Sequence, residues 1–130
     1  MNLVSDTHAL VWYLAGETRR LSAGARRAFR DAEAGRRTVF ISTVTLMEIA
    51  LLEERGRLRI DYRGLREQLG LRPGLPLEPL LPEDIDEARA LVQLRDPFDR
   101  LIAGTAIRLA LPLLTNDARI MASRRLRTYW

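Results

Sequence analysis

The sequence predicts an α/β fold, a three-layer α/β/α sandwich around a mainly parallel central sheet. Short apolar, β-branched runs alternate with segments of helical periodicity along the whole chain. That alternation favours parallel pairing, with helices covering both faces of the sheet. At 130 residues and 47% hydrophobic composition, the chain can bury one core. Residues 1–130 are therefore predicted to form a single domain.

The first half of the chain is predicted to contain two strands and four helices. Ser22 is suited to begin a helix as its N-cap, Ser42 or Thr43 can begin another, and glycines mark turns or stops at Gly16, Gly35 and Gly56. In order, the predicted elements are a strand at 3–5, a helix at 8–14, a helix at 22–34, a strand at 38–41, a helix to 54 and a short helix at 62–69.

The second half begins with a proline-rich stretch, 73–82, whose interleaved leucines favour a packed loop around a short strand near Leu77 over an interdomain linker. Pro82 then opens a helix, with two acids near its positive end. Asp96-Pro97 opens the next helix, to about Leu109. A buried strand at 112–115, a short helix from 116 and an edge strand at 128–130 complete the chain.

Composition excludes several kinds of chemistry. The chain has no cysteine, so it can form neither a disulfide nor a thiolate metal site, and all 21 basic residues are arginine, which excludes lysine-dependent catalysis. The arginine clusters and the net charge of +4 suit a phosphate backbone, although a solvated basic surface explains them equally well. Aromatic residues are few and not interleaved with the arginines. No signal-like or membrane-length apolar run is visible, so a cytoplasmic protein without membrane association is expected.

Three aspartates follow predicted strands or begin predicted helices. Asp6 and Asp117 each come after a strand and before a helix, and N-capping, worth about 1 kcal/mol, would explain either one. Asp99 lies in the first turn of the helix that Asp96 caps, where the helix dipole contributes about 0.3–1 kcal/mol. Taken singly, each aspartate has a structural explanation.

Glu48 has no such explanation. Helical spacing places it on an apolar stripe that should pack against the sheet, together with Val44, Met47, Leu51 and Leu52. A carboxylate there must be neutral, paired with an arginine or bound to a cation, because burying it alone costs several kcal/mol.

Asp6, Glu48, Asp99 and Asp117 form what we term the acidic quartet. In an open parallel sheet ligands bind beyond the carboxyl ends of the strands, where all four could converge and repel one another. Oxygen ligands without cysteine or a histidine cluster indicate Mg²⁺ or Mn²⁺ rather than zinc. With arginines to hold a phosphate polymer, such metal ions favour phosphodiester hydrolysis, that is, a nuclease.

Four segments containing the quartet occur in order along the chain: Asp6-Thr7-His8-Ala9-Leu10-Val11-Trp12, Ser42-Thr43-Val44-Thr45-Leu46-Met47-Glu48-Ile49-Ala50, Asp96-Pro97-Phe98-Asp99-Arg100-Leu101-Ile102-Ala103 and Leu114-Thr115-Asn116-Asp117-Ala118-Arg119. Together they closely resemble PIN-domain ribonucleases of the VapC toxin type, over essentially the whole chain.

The resemblance implies a Mg²⁺- or Mn²⁺-dependent endoribonuclease toxin that cuts RNA, is inhibited by a cognate antitoxin and usually forms a homodimer with a PIN-like fold. By position, the family's four acidic residues correspond to Asp6, Glu48, Asp99 and Asp117, as catalytic residues and metal ligands. Thr115 matches a frequent hydroxyl position beside them. Asp96 resembles the family's helix-opening aspartate rather than a primary ligand.

Competing interpretations remain at this point. A phosphotransfer receiver needs a lysine, and the common phosphatase motif needs a second aspartate where this chain has His8. A structure-directed DNA nuclease usually carries more acids and additional helices. The alternative from another class is a catalytically silent PIN-fold domain that binds RNA or a protein partner. His8 is interpreted as structural, and Trp12 and Tyr13 as core or dimer-packing residues.

Overall fold

In the computed structural model, which describes residues 1–130, five strands and seven α-helices alternate as the sequence predicts. The elements are β1 Leu3–Ser5, α1 Thr7–Leu14, α2 Ala23–Glu33, β2 Val39–Ser42, α3 Thr43–Glu54, α4 Tyr62–Gly70, β3 Leu77–Glu78, α5 Pro82–Arg89, α6 Pro97–Leu109, β4 Leu113–Leu114, α7 Ala118–Met121 and β5 Thr128–Tyr129. A 3₁₀ turn, Thr18–Arg20, follows α1. None of the helices is both long enough and apolar enough to cross a membrane.

All strand pairs are parallel, and the strand order across the sheet is β3-β2-β1-β4-β5. The chain thus builds outward from β1 on one side and then returns to add β4 on the other side. The register pairs Leu3 with Val39 and Val4 with Leu113. β5 lies at an edge, as predicted, and both ends of the chain contribute to the same sheet.

Two apolar clusters lie on opposite faces of the sheet. Successive residues alternate between them: Leu3 and Leu114 join the cluster formed with α1, α2 and α4, whereas Val4 and Leu113 join the cluster formed with α6. Alternation with a period of two is what a strand buried on both faces requires. The three-layer α/β/α prediction is confirmed.

The N-cap residues predicted from the sequence begin α2 and α3 in the structure. The Ser22 hydroxyl accepts a hydrogen bond from the Ala25 amide at 3.0 Å, and Ser42 caps α3 by accepting from the Val44 amide at 3.1 Å. The predicted buried stripe of α2 is confirmed at Ala25, Ala28, Phe29 and Ala32. Gly35, which ends this helical segment, has a φ of +77°, a conformation that glycine adopts without strain.

The structure corrects the predicted orientation of α3. Its buried residues are Val44, Thr45, Leu46 and Ile49. Met47, predicted to pack against the sheet, is 52% exposed, so the buried stripe is centred on Thr45 and Ile49 instead. The reason is that α3 contacts both apolar clusters and is buried over a wider arc than one stripe. Glu48 therefore lies at the border of this arc and is half-buried.

Candidate metal centre

The strand order brings the first and fourth strands together at the centre of the sheet. Because β2 lies on one side of β1 and β4 on the other, the connections diverge between β1 and β4, and ligands of open α/β sheets bind at such a switch point. Asp6 follows β1 directly, and Thr115 follows β4 directly. The Asp6 amide donates to the Leu114 carbonyl at 3.0 Å, which fixes the two strand ends side by side.

Asp6 is a buried carboxylate with two different oxygens. It is 8% exposed, and its Oδ1 caps α1 by accepting from the Ala9 amide at 2.8 Å. Burial raises the pKa of Asp6 above its usual value, although the Thr115 hydroxyl and the Ala9 amide oppose the rise. The role of Asp6 as an N-cap is thus confirmed. The capping hydrogen bond uses Oδ1 only and leaves Oδ2 outside the cap.

Asp117 repeats this arrangement at the end of β4. Its Oδ1 caps α7, accepting from the Arg119 amide at 2.8 Å and the Ile120 amide at 3.3 Å. The Asp117 amide in turn donates to the Thr115 hydroxyl at 3.0 Å. Thr115 is fully buried, so this hydroxyl holds the turn that carries Asp117 beside Asp6.

Glu48 has an unsatisfied oxygen. Its Oε1 is buried and has no hydrogen-bond partner. None of the side-chain ion pairs includes Glu48, so the arginine partner that the sequence left open is absent. Burial raises the pKa of Glu48, while the Thr7 hydroxyl has the opposite effect. An unpaired buried carboxylate oxygen is costly unless it binds a proton or a cation.

Asp99 is the most strongly perturbed member of the quartet. Asp96 Oδ1 caps α6 through the Phe98 amide at 2.8 Å and the Asp99 amide at 3.1 Å, which leaves the Asp99 carboxylate free of the cap. Burial is the main reason that the pKa of Asp99 rises to about 7. Coulombic repulsion adds to this effect from Asp96, Glu48, Asp117 and Asp6.

The structure thus brings all four predicted acids into one electrostatic neighbourhood. Asp99 is repelled by the other three members of the quartet, and Asp6 is repelled by Asp117. No three acidic or histidine side chains lie close enough together to enclose an ion as they stand.

Two neighbours of the quartet were not identified as site residues from the sequence. The Thr7 hydroxyl lies at Glu48, and a signal was available because Thr7 directly follows Asp6. His8 was interpreted as structural, but its side chain is exposed, and its positive charge opposes the raised pKa of both Asp6 and Glu48. His8 thus belongs to the rim of the site rather than to the core. Tyr13 does pack in the core, stacked on Phe29 at 4.4 Å between ring centroids.

Comparison with known proteins agrees with this geometry. Residues 3–125 match the PIN domain. The chain is 30% identical over 129 residues to ribonuclease VapC22 of Mycobacterium tuberculosis, and the match covers 96% of this chain and 95% of that protein.

Solved structures share the fold at lower identity. VapBC2 from Rickettsia felis, bound to a DNA fragment from its promoter, superposes with a TM-score of 0.72 at 15% identity, covering 99% of this chain and 98% of that chain. A toxin–antitoxin complex from Klebsiella pneumoniae has a TM-score of 0.60 at 21% identity, covering 97% and 96%. The family match over nearly the whole sequence, together with the parallel sheet and the acids at its switch point, shows that this chain belongs to the PIN-domain family.

Proposed function

We propose that this protein is a metal-dependent endoribonuclease toxin that hydrolyses RNA phosphodiester bonds and is inhibited by a cognate antitoxin. The observation that supports this proposal most directly is the buried, unpartnered Oε1 of Glu48 among three aspartates. The homology to a VapC ribonuclease supports the choice of RNA as substrate.

The residues present fit a hard divalent cation. The donors are carboxylate oxygens with hydroxyls beside them, and Mg²⁺ and Mn²⁺ prefer such ligands. In this proposal Asp6, Glu48, Asp99 and Asp117 hold the metal, with Thr115 as an auxiliary residue. When bound, Mg²⁺ would supply activation of water and stabilisation of charge on the departing oxygen.

The chain's own contribution is to orient the ligands. The capping bonds of Asp6 and Asp117 hold their Oδ1 atoms to backbone amides and so fix the direction of each carboxylate. The Thr115 hydroxyl restrains both aspartates, because it hydrogen-bonds to the Asp6 carboxylate and accepts a hydrogen bond from the Asp117 amide. Burial, together with repulsion from the neighbouring acids, raises the pKa of Asp99 and so favours its protonation until a cation compensates the charge.

Partner binding is proposed from the relatives. The toxin–antitoxin complex with this fold supports a protein antitoxin, and the resemblance to VapC toxins supports a homodimer. In such a system the free toxin is active and the complex is silent.

Cleavage of total RNA tests the proposal. With Mg²⁺ the protein should produce discrete fragments, and EDTA should stop the reaction. Asp6→Asn and Asp99→Asn should reduce the rate at least about 100-fold, since each removes a ligand or the charge that binds the metal. Glu54→Gln on the exposed end of α3 is the matched control. Unchanged cleavage in both aspartate variants would refute the metal mechanism.

The alternative function is a catalytically silent PIN domain that binds RNA or a protein. It predicts RNA binding without fragments at any Mg²⁺ or Mn²⁺ concentration. Addition of a saturating amount of the cognate antitoxin provides a second test, because the proposed toxin should lose its cleavage activity in the complex.

A further inference from the structure

A cleft beside the acidic quartet combines aromatic rings with arginines from separate parts of the chain. It encloses about 240 Å³ between α1, the 3₁₀ turn and the loop after α3. Its lining includes His8, Trp12, Arg20, Arg57 and Arg59. Sites for drug-sized ligands span roughly 300–1,000 Å³, so this cleft suits a single nucleobase rather than a larger ligand.

The cleft is continuous with the site through His8. His8 lines the cleft and lies two residues after Asp6, in the first turn of α1. Leu52, which also lines the cleft, lies one turn after Glu48 on α3. A ligand seated in the cleft would therefore lie next to the residues proposed to cut RNA.

Trp12 is half-buried, packs against the core as expected, and carries the Arg20 guanidinium on its ring, so this guanidinium is the surface on which a base can stack. The Arg20 guanidinium lies over the Trp12 ring at 4.4 Å, and the His8 ring lies 5.9 Å away at an angle of 51°. Trp130 braces the indole from another side with an edge contact at 6.3 Å. Stacking of bases on aromatic rings and guanidinium groups is the usual way that proteins hold single-stranded RNA.

The charges around the cleft favour an anion. Glu17 pairs with both Arg20 and Arg59, at 3.4 Å in each case, and so holds two guanidinium groups at the rim. Arg57 is exposed and forms no ion pair. Three arginines against one glutamate leave a positive excess beside a negatively charged metal site, as a phosphate backbone requires.

We propose that this cleft binds one nucleotide flanking the scissile phosphate, with the base stacked on the guanidinium over Trp12 and the phosphate held by Arg57 and Arg59. This inference rests on the proposed ribonuclease function. It identifies a residue set that holds the RNA, separate from the residues that cut it. Arg57 and Arg59 come from a segment distant from Trp12, which is why the sequence alone gave little support for a stacking platform.

Binding of RNA to an inactive protein tests the cleft separately from catalysis. The probe is a fluorescein-labelled single-stranded 12-nucleotide RNA of randomised sequence, followed by anisotropy in the Asp99→Asn background. Adding Arg57→Gln should weaken binding about fivefold and reduce the slope of log affinity against log salt by about 0.7, the loss of one phosphate contact. Adding Trp12→Leu should weaken binding roughly tenfold or more through the lost stack.

Arg124→Gln is the matched control, because Arg124 is exposed and precedes β5, near the opposite ends of the strands. It should change the affinity less than twofold. Thermal unfolding shows whether Trp12→Leu is still folded. If it is not, Arg57→Gln alone decides the test, because Arg57 is exposed and its substitution should not affect folding.

If Arg57→Gln and Arg124→Gln bind the RNA with equal affinity, the proposal that the cleft binds a nucleotide is wrong, even if the wild type cleaves RNA. Cleft variants that bind RNA normally but no longer bind the antitoxin would also overturn it and identify a protein-binding surface. If the cleft variants lose RNA binding but the wild type does not cleave RNA, the cleft is an RNA-binding site and the ribonuclease proposal fails.

Discussion

Arg108 on α6 donates through Nε to Asp84 on α5, a carboxylate with no exposure to solvent. The Thr105 hydroxyl donates to the same group at 2.9 Å, and the Leu81 amide does so at 3.1 Å. From the sequence, Asp84 is one of two acids near the N-terminus of a helix. The structure shows in addition that the Asp84 carboxylate links α5 to α6, the helix that carries Asp99.

Arg108→Ala should destabilise the fold strongly. Removal of the guanidinium leaves the Asp84 charge buried with two neutral hydrogen-bond donors but without a counter-charge, which costs about 3–5 kcal/mol. Urea unfolding measures this difference. Arg89→Ala, at an exposed position of α5, should change stability by less than about 0.5 kcal/mol. Adding Asp84→Asn to Arg108→Ala should recover part of the loss, and no recovery would argue against charge burial as the cause.

Stability without metal should increase as the pH falls from 8 to 5. The folded protein binds a proton at Asp99 with a pKa near 7, against 3.8 for the ordinary carboxyl, so protonation in this window favours the folded state. The gain is present in full below the unfolded value and is lost as the pH rises through 7. Asp6 and Glu48, whose pKa values are also raised, act in the same direction.

Asp99→Asn should remove much of this pH dependence and stabilise the protein at pH 8 in EDTA. We expect about 1–2 kcal/mol, less than the full shift would give, because water screens a half-buried carboxylate. Urea unfolding at pH 8 and pH 5.5 checks both effects. A variant less stable than the wild type at pH 8 in EDTA would contradict the repulsion among the acids.

Mg²⁺ should raise the melting temperature of the wild type at pH 8. Ligand binding to the folded state alone adds about 2.7 kcal/mol at a concentration 100 times the dissociation constant. Glu48→Gln should reduce this gain, whereas Glu54→Gln on the exposed end of the same helix should keep it. An equal gain in both variants would exclude Glu48 as a ligand.

Gly104→Ala should both destabilise the protein and impair the site. A Cβ at this position would lie 2.2 Å from the Asp84 carbonyl oxygen, so α5 and α6 must separate. Overpacking of this kind costs about 1–3 kcal/mol and would displace the helix that positions Asp99. Gly70→Ala, where a Cβ meets nothing within 4 Å, is the control and should be nearly neutral. Denaturation and RNA cleavage measure the two effects.

The sequence predicted every element whose signal is local. Ser22 and Gly35 bound α2, and Asp96-Pro97 begins α6, because caps and stops depend on neighbours within a few residues. The acids at strand ends were likewise visible, since the carboxyl edge of a parallel sheet collects them.

What the sequence did not reveal depends on contacts between distant segments. The central placement of β1 between β2 and β4 is set by packing of whole helices, and no residue pattern encodes it. The same holds for the Arg108 partner of Asp84 and for the edge contact of Trp130 with Trp12. Met47 was misplaced because one helical stripe cannot describe a helix that packs against both layers.

The pairing of β4 with β1 also determines when the acidic quartet can assemble. Asp6 and Asp117 are far apart in sequence and meet only after Leu113 and Leu114 have docked beside Val4 and Ser5. A nascent or truncated chain that lacks β4 has an edge strand where the switch point should be and has only part of the quartet. The proposed metal site would therefore be incomplete until β4 has been synthesised and has docked beside β1.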